Sequence, residues 1–236
     1  MAPLLATTAL AAFYGNFQAL FGIDFSIDAG EAVAIIGANG AGKSTFLKTV
    51  AGLLPAARGQ ILFEGKPIGG LRAAEIVKRG IAMVPEGRRL FPSLSVEENL
   101  IIGGHSGRPG PWTLDRVYQM FPSLLPLRTL PGNAISGGEQ QMTAIGRALL
   151  SNPRLLICDE LSLGLAPIIV KTIYDAMPRM MAEGLTVIIV EQDVGIAQSA
   201  TSRLYCFQEG RVSLQGRSSE LPRDAISQAY FGAPDQ

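Results

Sequence analysis

Cysteine, histidine and tryptophan are nearly missing from this sequence: two, one and one among 236 residues. The cysteines, Cys158 in LLICDE and Cys206 in RLYCFQ, sit inside apolar runs, so they cannot staple a small secreted scaffold and read as core thiols in a reducing compartment. No metal site can be built from them. Charge is scarce too, at 17% of the chain against about 25% in ordinary soluble domains. Twenty basic residues balance twenty acidic ones, and the basic residues are scattered. Nucleic acid is therefore not an expected partner. Low charge with positive mean hydropathy implies surface covered by other subunits. No uninterrupted apolar run reaches the ~18 residues needed to cross a bilayer, so the chain is not expected to span one. The opening MAPLLATTALAAF resembles a secretory h-region but has no Lys or Arg before it and leads into a patterned strand region, so export is not expected.

What is present is an alternation of short β-rich runs with helical patterns, the mark of an α/β sheet layered with helices. EAVAIIG reads as a buried strand followed directly by the helix KSTFLKTVAGL; GQILFEG, GIAMVPEG, RLLICDE and LTVIIVE read as further strands. Helices are expected over LRAAEIVKR, from Pro167 to about Glu183, and around SSELPRDAISQAYF, with a hairpin over RLYCFQEGRVSLQG. Pro178, inside the second of these helices, should remove a hydrogen bond and kink it. From Arg88 the pattern loses its strands and becomes Gly/Pro-rich loops around DRVYQMF, so 88–150 is expected to be a helical subdomain within one domain spanning 1–236.

Three stretches carry chemistry. GANGAGKS, Gly37 to Ser44, fits G-x-x-x-x-G-K-[ST] between a strand and a helix. Glycines let backbone N–H groups turn inward around phosphate oxygens, and the helix N-terminus adds partial positive charge. Lys43 would reach the β- and γ-phosphates and the Ser44 hydroxyl would ligate Mg²⁺. LLICDE drives an apolar strand into Asp159 and Glu160, which are costly to bury without a cation or hydrogen-bond partners. Beside a phosphate loop, Asp159 would face Mg²⁺ and Glu160 could orient or deprotonate the attacking water. In ISGGEQQ, Ser136 is a good helix N-cap, but capping does not need Gly137 and Gly138; bare N–H groups there suit a second phosphate. One chain cannot easily bring both helix starts to one γ-phosphate, whereas a dimer can.

These motifs, in this order and with a helical insertion before the second glycine pair, resemble the ATP-binding cassette of ABC transporters. GANGAGKST, VPEGRRLF, SGGEQQMTAIGRALLSNPRLL, SLGLAP and VEQD are similar to one branch, the second ATPase subunit of bacterial branched-chain amino-acid importers. The resemblance implies a P-loop NTPase of the ABC ATPase type: a mixed sheet core flanked by helices with an inserted α-helical subdomain. It implies ATP on Tyr14, Gly37, Ala38, Asn39, Gly40, Ala41, Gly42, Lys43, Ser44 and Thr45, and on Ser136, Gly137, Gly138 and Glu139. Mg²⁺ would be held by Ser44, Glu86 and Asp159, and catalysis would rest on Glu160 and Gln192. Tyr14 would stack on adenine; the weaker alternative from the sequence is an edge-strand tyrosine packed on the sheet. The implied partners are a paralogous ATPase subunit in a heterodimer, or a second copy of the chain, two integral-membrane permeases and, indirectly, a periplasmic substrate-binding protein. The implied place is the cytoplasmic face of the bacterial inner membrane.

Several positions depart from the family pattern. Gln192 stands where most members have a histidine; an amide can hydrogen-bond phosphate or water but cannot shuttle a proton. His105 lies in a Gly/Pro-rich loop and reads as a solvated residue. Glu86 replaces a glutamine and Ala166 an aspartate, both as in the importer branch, and Leu161 replaces a proline, which implies a less rigid loop after Glu160. Two functions from different classes follow: an ATPase powering import of branched-chain amino acids, or of urea or amides, and an ATP-dependent clamp with little turnover of its own. A soluble relative acting on ribosomes or DNA would carry two cassettes, coiled-coil insertions or basic extensions, which this chain lacks.

Overall fold

The computed structural model describes residues 2–57 and 59–231; Met1, Arg58 and 232–236, within the span expected for the single domain, lie outside them. In chain order, β1 (Leu5–Tyr14) and β2 (Phe17–Ile27) form a long hairpin, and β3 (Ala32–Ile36) leads to α1 (Lys43–Val50). A short hairpin, β4 (Ile61–Phe63) and β5 (Lys66–Pro67), precedes α2 (Ala73–Arg79) and β6 (Ile81–Val84). Next come α3 (Val96–Gly103), α4 (Leu114–Met120) and α5 (Gly137–Leu149). After them follow β7 (Leu155–Asp159), α6 (Pro167–Ala182), β8 (Thr186–Val190), α7 (Val194–Ala200), β9 (Arg203–Gln208), β10 (Arg211–Arg217) and α8 (Arg223–Phe231).

Among the described residues the strands form two sheets. A mixed sheet runs β10-β9-β3-β8-β7-β6, parallel from β9 through β6 with β10 antiparallel at its edge. The other is antiparallel, in the order β2-β1-β4-β5. Strand β3 shows how the sequence builds the layers. Its side chains alternate by face: Val33 and Ile35 pack with the β1–β2 hairpin and Phe46 of α1, while Ala32, Ala34 and Ile36 face the core that holds Leu100, Ile145 and Met177. Such a strand, buried on both sides, reads as an unbroken apolar run.

The strands and helices expected over Ala32–Val84 and from Leu155 onward are present within a few residues. The chain's beginning is a correction of detail: the patterned region is a full hairpin that founds a second sheet. Helix α6 contains Pro178 and continues past it to Ala182. Among the described residues from 88 to 150 the regular elements are α3, α4 and α5 with 3₁₀ turns at Gly104–Ser106 and Pro122–Leu127, joined by loops, and the one strand-like pairing is an isolated bridge between Ser95 and Pro131. Their apolar side chains, Trp112 and Phe121 among them, share one core with the mixed sheet.

Helices α3 and α5 cross so closely that a Cβ on Gly103 would lie 1.8 Å from the Arg147 carbonyl oxygen. On Gly146 it would meet only side-chain methyls of Val117 and Leu100, at 2.6 and 2.7 Å. Gly103→Ala is therefore expected to destabilise the fold by about 2–3 kcal/mol and Gly146→Ala by less, as read from paired denaturant melts.

Candidate functional site

The phosphate-loop sequence folds as its glycines demand. Gly37 has φ +145, and a Cβ there would sit 2.2 Å from the Phe207 carbonyl oxygen of β9, so no other residue fits. The loop is also fastened through Gly210, whose N–H donates to the Ala41 carbonyl at 3.0 Å. Helix α1 starts at Gly42 with no side-chain cap and no acidic residue in its first turn, which leaves its N-terminal N–H groups and their positive end to a ligand. Lys43 is 4% exposed and donates through Nζ to the carbonyls of Gly37 and Ala38, at 2.6 and 3.0 Å.

A cleft of about 500 Å³ brings Asn39, Gly40, Gly42, Lys43, Ser44 and Thr45 together with Glu86, Glu160, Leu163 and Gln192. Parallel pairing delivers these residues to the same end of the mixed sheet: Asp159 of β7 is in register with Val190 of β8, and Ile35 of β3 also pairs with Val190. Asp159 is buried, and the Ser44 hydroxyl donates to its Oδ1 at 3.4 Å. Burial pushes the Asp159 carboxyl above its usual range; the Ser44 hydrogen bond and Lys48 oppose this, and the charges of Glu160 and Glu86 reinforce it. Burial lowers the pKa of Lys43, against the pull of Glu160 and Asp159. Hydroxyl and carboxylate oxygens side by side are the donor set that a hard divalent cation takes.

Glu160 begins the loop between β7 and α6. Its N–H donates to the Val190 carbonyl at 3.0 Å, and its backbone adopts φ +52, a left-handed conformation unusual outside glycine. Gln192 donates through Nε2 to Glu160 Oε1 at 2.9 Å, so the glutamine holds the carboxylate. Tyr14 stands exposed at the tip of the β1–β2 hairpin, its hydroxyl 3.4 Å from Thr45 Oγ1. It leans over the loop and does not pack on the sheet as an edge tyrosine would.

Ser136, Gly137, Gly138 and Glu139 do not line this cleft. Ser136 caps α5, and Glu139 completes a capping box, accepting the Ser136 N–H at 2.7 Å. Gly138 has a packing reason that capping does not supply, since a Cβ there would lie 2.7 Å from Ile169 of α6.

The sequence reading missed Arg147 and a buried cluster around Glu191. Arg147, on α5, donates to the carbonyls of Arg89 and Arg88 at 2.9 and 3.0 Å and so ties the loop after Glu86 to the helical segment. Glu191 is buried against Ser162 and Tyr174. A buried carboxylate after four apolar residues was the available signal for it.

Comparison with known proteins agrees with this geometry. The family model described as ABC transporter matches residues 20–162, more than half of the chain. The chain is 42% identical over 232 residues to the high-affinity branched-chain amino acid transport ATP-binding protein BraG of Pseudomonas aeruginosa, covering 97% of this chain and 100% of that protein. It is 33% identical to a probable branched-chain amino acid transport ATP-binding protein, LivF, of Archaeoglobus fulgidus, covering 92% and 94% of the two chains. Among solved structures, the ADP conformation of an ATP-binding cassette of an ABC transporter matches with a TM-score of 0.83 at 28% identity, covering 99% of this chain and 100% of the other. With its phosphate loop, paired carboxylates and mixed sheet, the chain belongs to the ATP-binding cassette family of ABC transporters.

Proposed function

We propose that this chain is an ATP-hydrolysing subunit that powers import of branched-chain amino acids. The observation that carries the proposal is Glu160 set beside the phosphate loop with its carboxylate held by Gln192. Similarity to BraG over nearly the whole of both chains supports the substrate class. The uncapped start of α1, with the loop N–H groups, binds the phosphates, and Lys43 exchanges its two carbonyl acceptors for phosphate oxygens. Glu86 and Glu160 in the cleft, with Asp159 buried behind Ser44, outnumber Lys43 and leave the site acidic, so a polyphosphate enters with a divalent cation. Ser44, Asp159 and Glu86 would hold Mg²⁺, which would supply positive charge to the phosphate oxygens on which negative charge develops as the bond to the leaving group breaks. Glu160 orients the attacking water and accepts its proton, while Gln192 fixes the carboxylate's aim. Tyr14 offers an aromatic face for adenine.

Ser136, Gly137, Gly138 and Glu139 serve the nucleotide of a second cassette, a related chain or another copy, in head-to-tail pairing. Residues 88–150 act as a helical subdomain, and Arg147 links the loop of Glu86 to it. A groove of about 330 Å³ lined by Val77, Met83, Ile102, His105 and Arg147 is where permease subunits dock at the cytoplasmic face of the membrane. A periplasmic substrate-binding protein supplies the amino acid to those permeases. No helix among the described residues is long and apolar enough to cross a membrane.

The test is ATP turnover and uptake by the chain joined with its partner cassette and permeases in lipid vesicles, with the substrate-binding protein present. Expected is ATP-dependent uptake of leucine, isoleucine and valine; uptake of urea or short amides in their place overturns the substrate assignment. One observation favours a second reading, an ATP-dependent clamp: the amide of Gln192 occupies an oxygen of Glu160 and carries no titratable proton. Gln192→Ala separates the two readings. As an aiming residue its loss lowers kcat about tenfold with little change in KM; as a clamp latch its loss raises turnover.

A further inference from the structure

Glu191 lies just beyond β8 and is 1% exposed. Among the described residues it forms no ion pair; its carboxylate is met by neutral donors. Oε2 accepts the Ser162 hydroxyl at 2.5 Å, and Oε1 accepts both the Ser162 N–H at 3.2 Å and the Tyr174 hydroxyl. A carboxylate taken out of water is kept only where such donors hold it, and it holds them in return. Both Ser162 donors belong to the loop that begins at Glu160, and Tyr174 comes from α6, the helix that ends that loop.

Within itself the loop makes two turn bonds, from the Leu163 N–H to the Glu160 carbonyl at 3.4 Å and from the Leu165 N–H to the Ser162 carbonyl at 3.2 Å, and Leu165 packs against the core. From Leu161 to Ala166 it contains no proline, and Gly164 sits at φ +68. Leu161 is buried, but a leucine does not restrict the backbone as a proline ring does. Meanwhile Glu160 keeps an unfavourable left-handed φ of +52, a conformation that persists only where its surroundings impose it. The bonds form a ring. Two successive residues, Glu191 and Gln192, grip Ser162 and Glu160 respectively, and the Glu160 N–H adds its bond to Val190.

We infer that Glu191 is a positioning residue for Glu160: by clamping Ser162 against Tyr174 it sets the loop that aims the Glu160 carboxylate into the nucleotide cleft. The inference rests on the ATPase reading. Glu191 touches neither the phosphate loop nor the cleft, so its removal changes the aim of the reaction and leaves nucleotide capture intact.

The experiment measures kcat and KM for ATP in the assembled transporter for wild type, Glu160→Gln, Glu191→Ala, Glu191→Gln and Tyr174→Phe. Glu191→Ala is expected to lower kcat about tenfold or more, because small misplacements of a reacting group are costly, while KM stays within about threefold. Glu191→Gln should restore kcat to within about threefold of wild type, since the amide oxygen still accepts from Tyr174 and the Ser162 N–H while its NH₂ donates to the Ser162 hydroxyl. Tyr174→Phe, which preserves volume, lowers kcat severalfold and covers the case in which Glu191→Ala does not fold. Overturning results are an unchanged kcat in Glu191→Ala or, if that variant does not fold, in Tyr174→Phe; a parallel rise in KM; or no rescue by glutamine. If wild-type turnover is absent or indifferent to Glu160→Gln, the ATPase reading fails and the inference falls with it; normal sensitivity to Glu160 with insensitivity to Glu191 and Tyr174 overturns the inference alone.

Discussion

Glu160→Gln is expected to reduce ATP turnover of the assembled transporter by about a hundredfold or more, the usual loss when a general base is removed. The substitution keeps the shape of the side chain and an oxygen able to accept from Gln192, whose Nε2 lies 2.9 Å from Glu160 Oε1. The structural consequence should therefore be small. Electrostatics then separates binding from chemistry. Glu86 and Glu160 line the cleft with Lys43, Asp159 is buried beside Ser44, and the charges of Glu160 and Glu86 already help keep the Asp159 carboxyl above its usual range. Removing one of these negative charges makes the cleft more welcoming to a polyphosphate. ATP affinity should hold or rise while turnover collapses, and nucleotide titration beside steady-state kinetics reads both. Turnover within about threefold of wild type would leave Glu160 with no role as a base and make the chain a clamp.

How much of this was legible in the sequence varies by element. The phosphate loop, the Asp159–Glu160 pair and the buried strands were readable because each is local: a motif whose backbone needs are written in its glycines, or an apolar run ending in carboxylates. The β1–β2 hairpin was only half read. Its turn, Gly15-Asn16 between Tyr14 and Phe17, is a hairpin signal, but in β1, LATTALAAFY, four alanines and two leucines dilute the strand signal of Thr7, Thr8, Phe13 and Tyr14. Tyr14 depended on that hairpin, since only its length carries the ring to Thr45. Gly138 looked like a bare N–H for phosphate; its closeness to Ile169 is a tertiary fact that no local pattern contains. Arg147 was invisible for the same reason, and for Glu191 the apolar run before it signalled burial but not its partners. Their partners, the carbonyls of Arg88 and Arg89 and the side chains of Ser162 and Tyr174, lie 17 to 59 residues away in sequence.

Lys43→Ala is expected to weaken ATP binding about a hundredfold or more, as the loss of two charge-assisted hydrogen bonds implies. In the described structure the Lys43 ammonium already occupies the loop, bonded to the Gly37 and Ala38 carbonyls and screened from water. Burial lowers the pKa of the amine, and Glu160 and Asp159 oppose that shift, so the carboxylates on which Mg²⁺ and catalysis would rest also favour its charged form. Without it the loop loses the donor that braces two carbonyls, and the phosphates meet the acidic wall of the cleft with no lysine in the loop. Lys43→Arg should fail similarly, because a planar guanidinium does not fit a site in which the lysine is 4% exposed. Thermal melts separate lost binding from lost folding. Without nucleotide the variant should melt within a few degrees of wild type, since the change removes a side chain at the loop and touches neither sheet. With Mg-ATP the wild type should gain stability by mass action and Lys43→Ala should gain almost none. A nucleotide-dependent shift equal to that of the wild type would show that the phosphates are held without Lys43. The contrast with Glu160→Gln is the sharper result: one variant should bind ATP and not turn it over, the other should do neither, and a site in which both behaved alike would not be organised as the cleft geometry indicates.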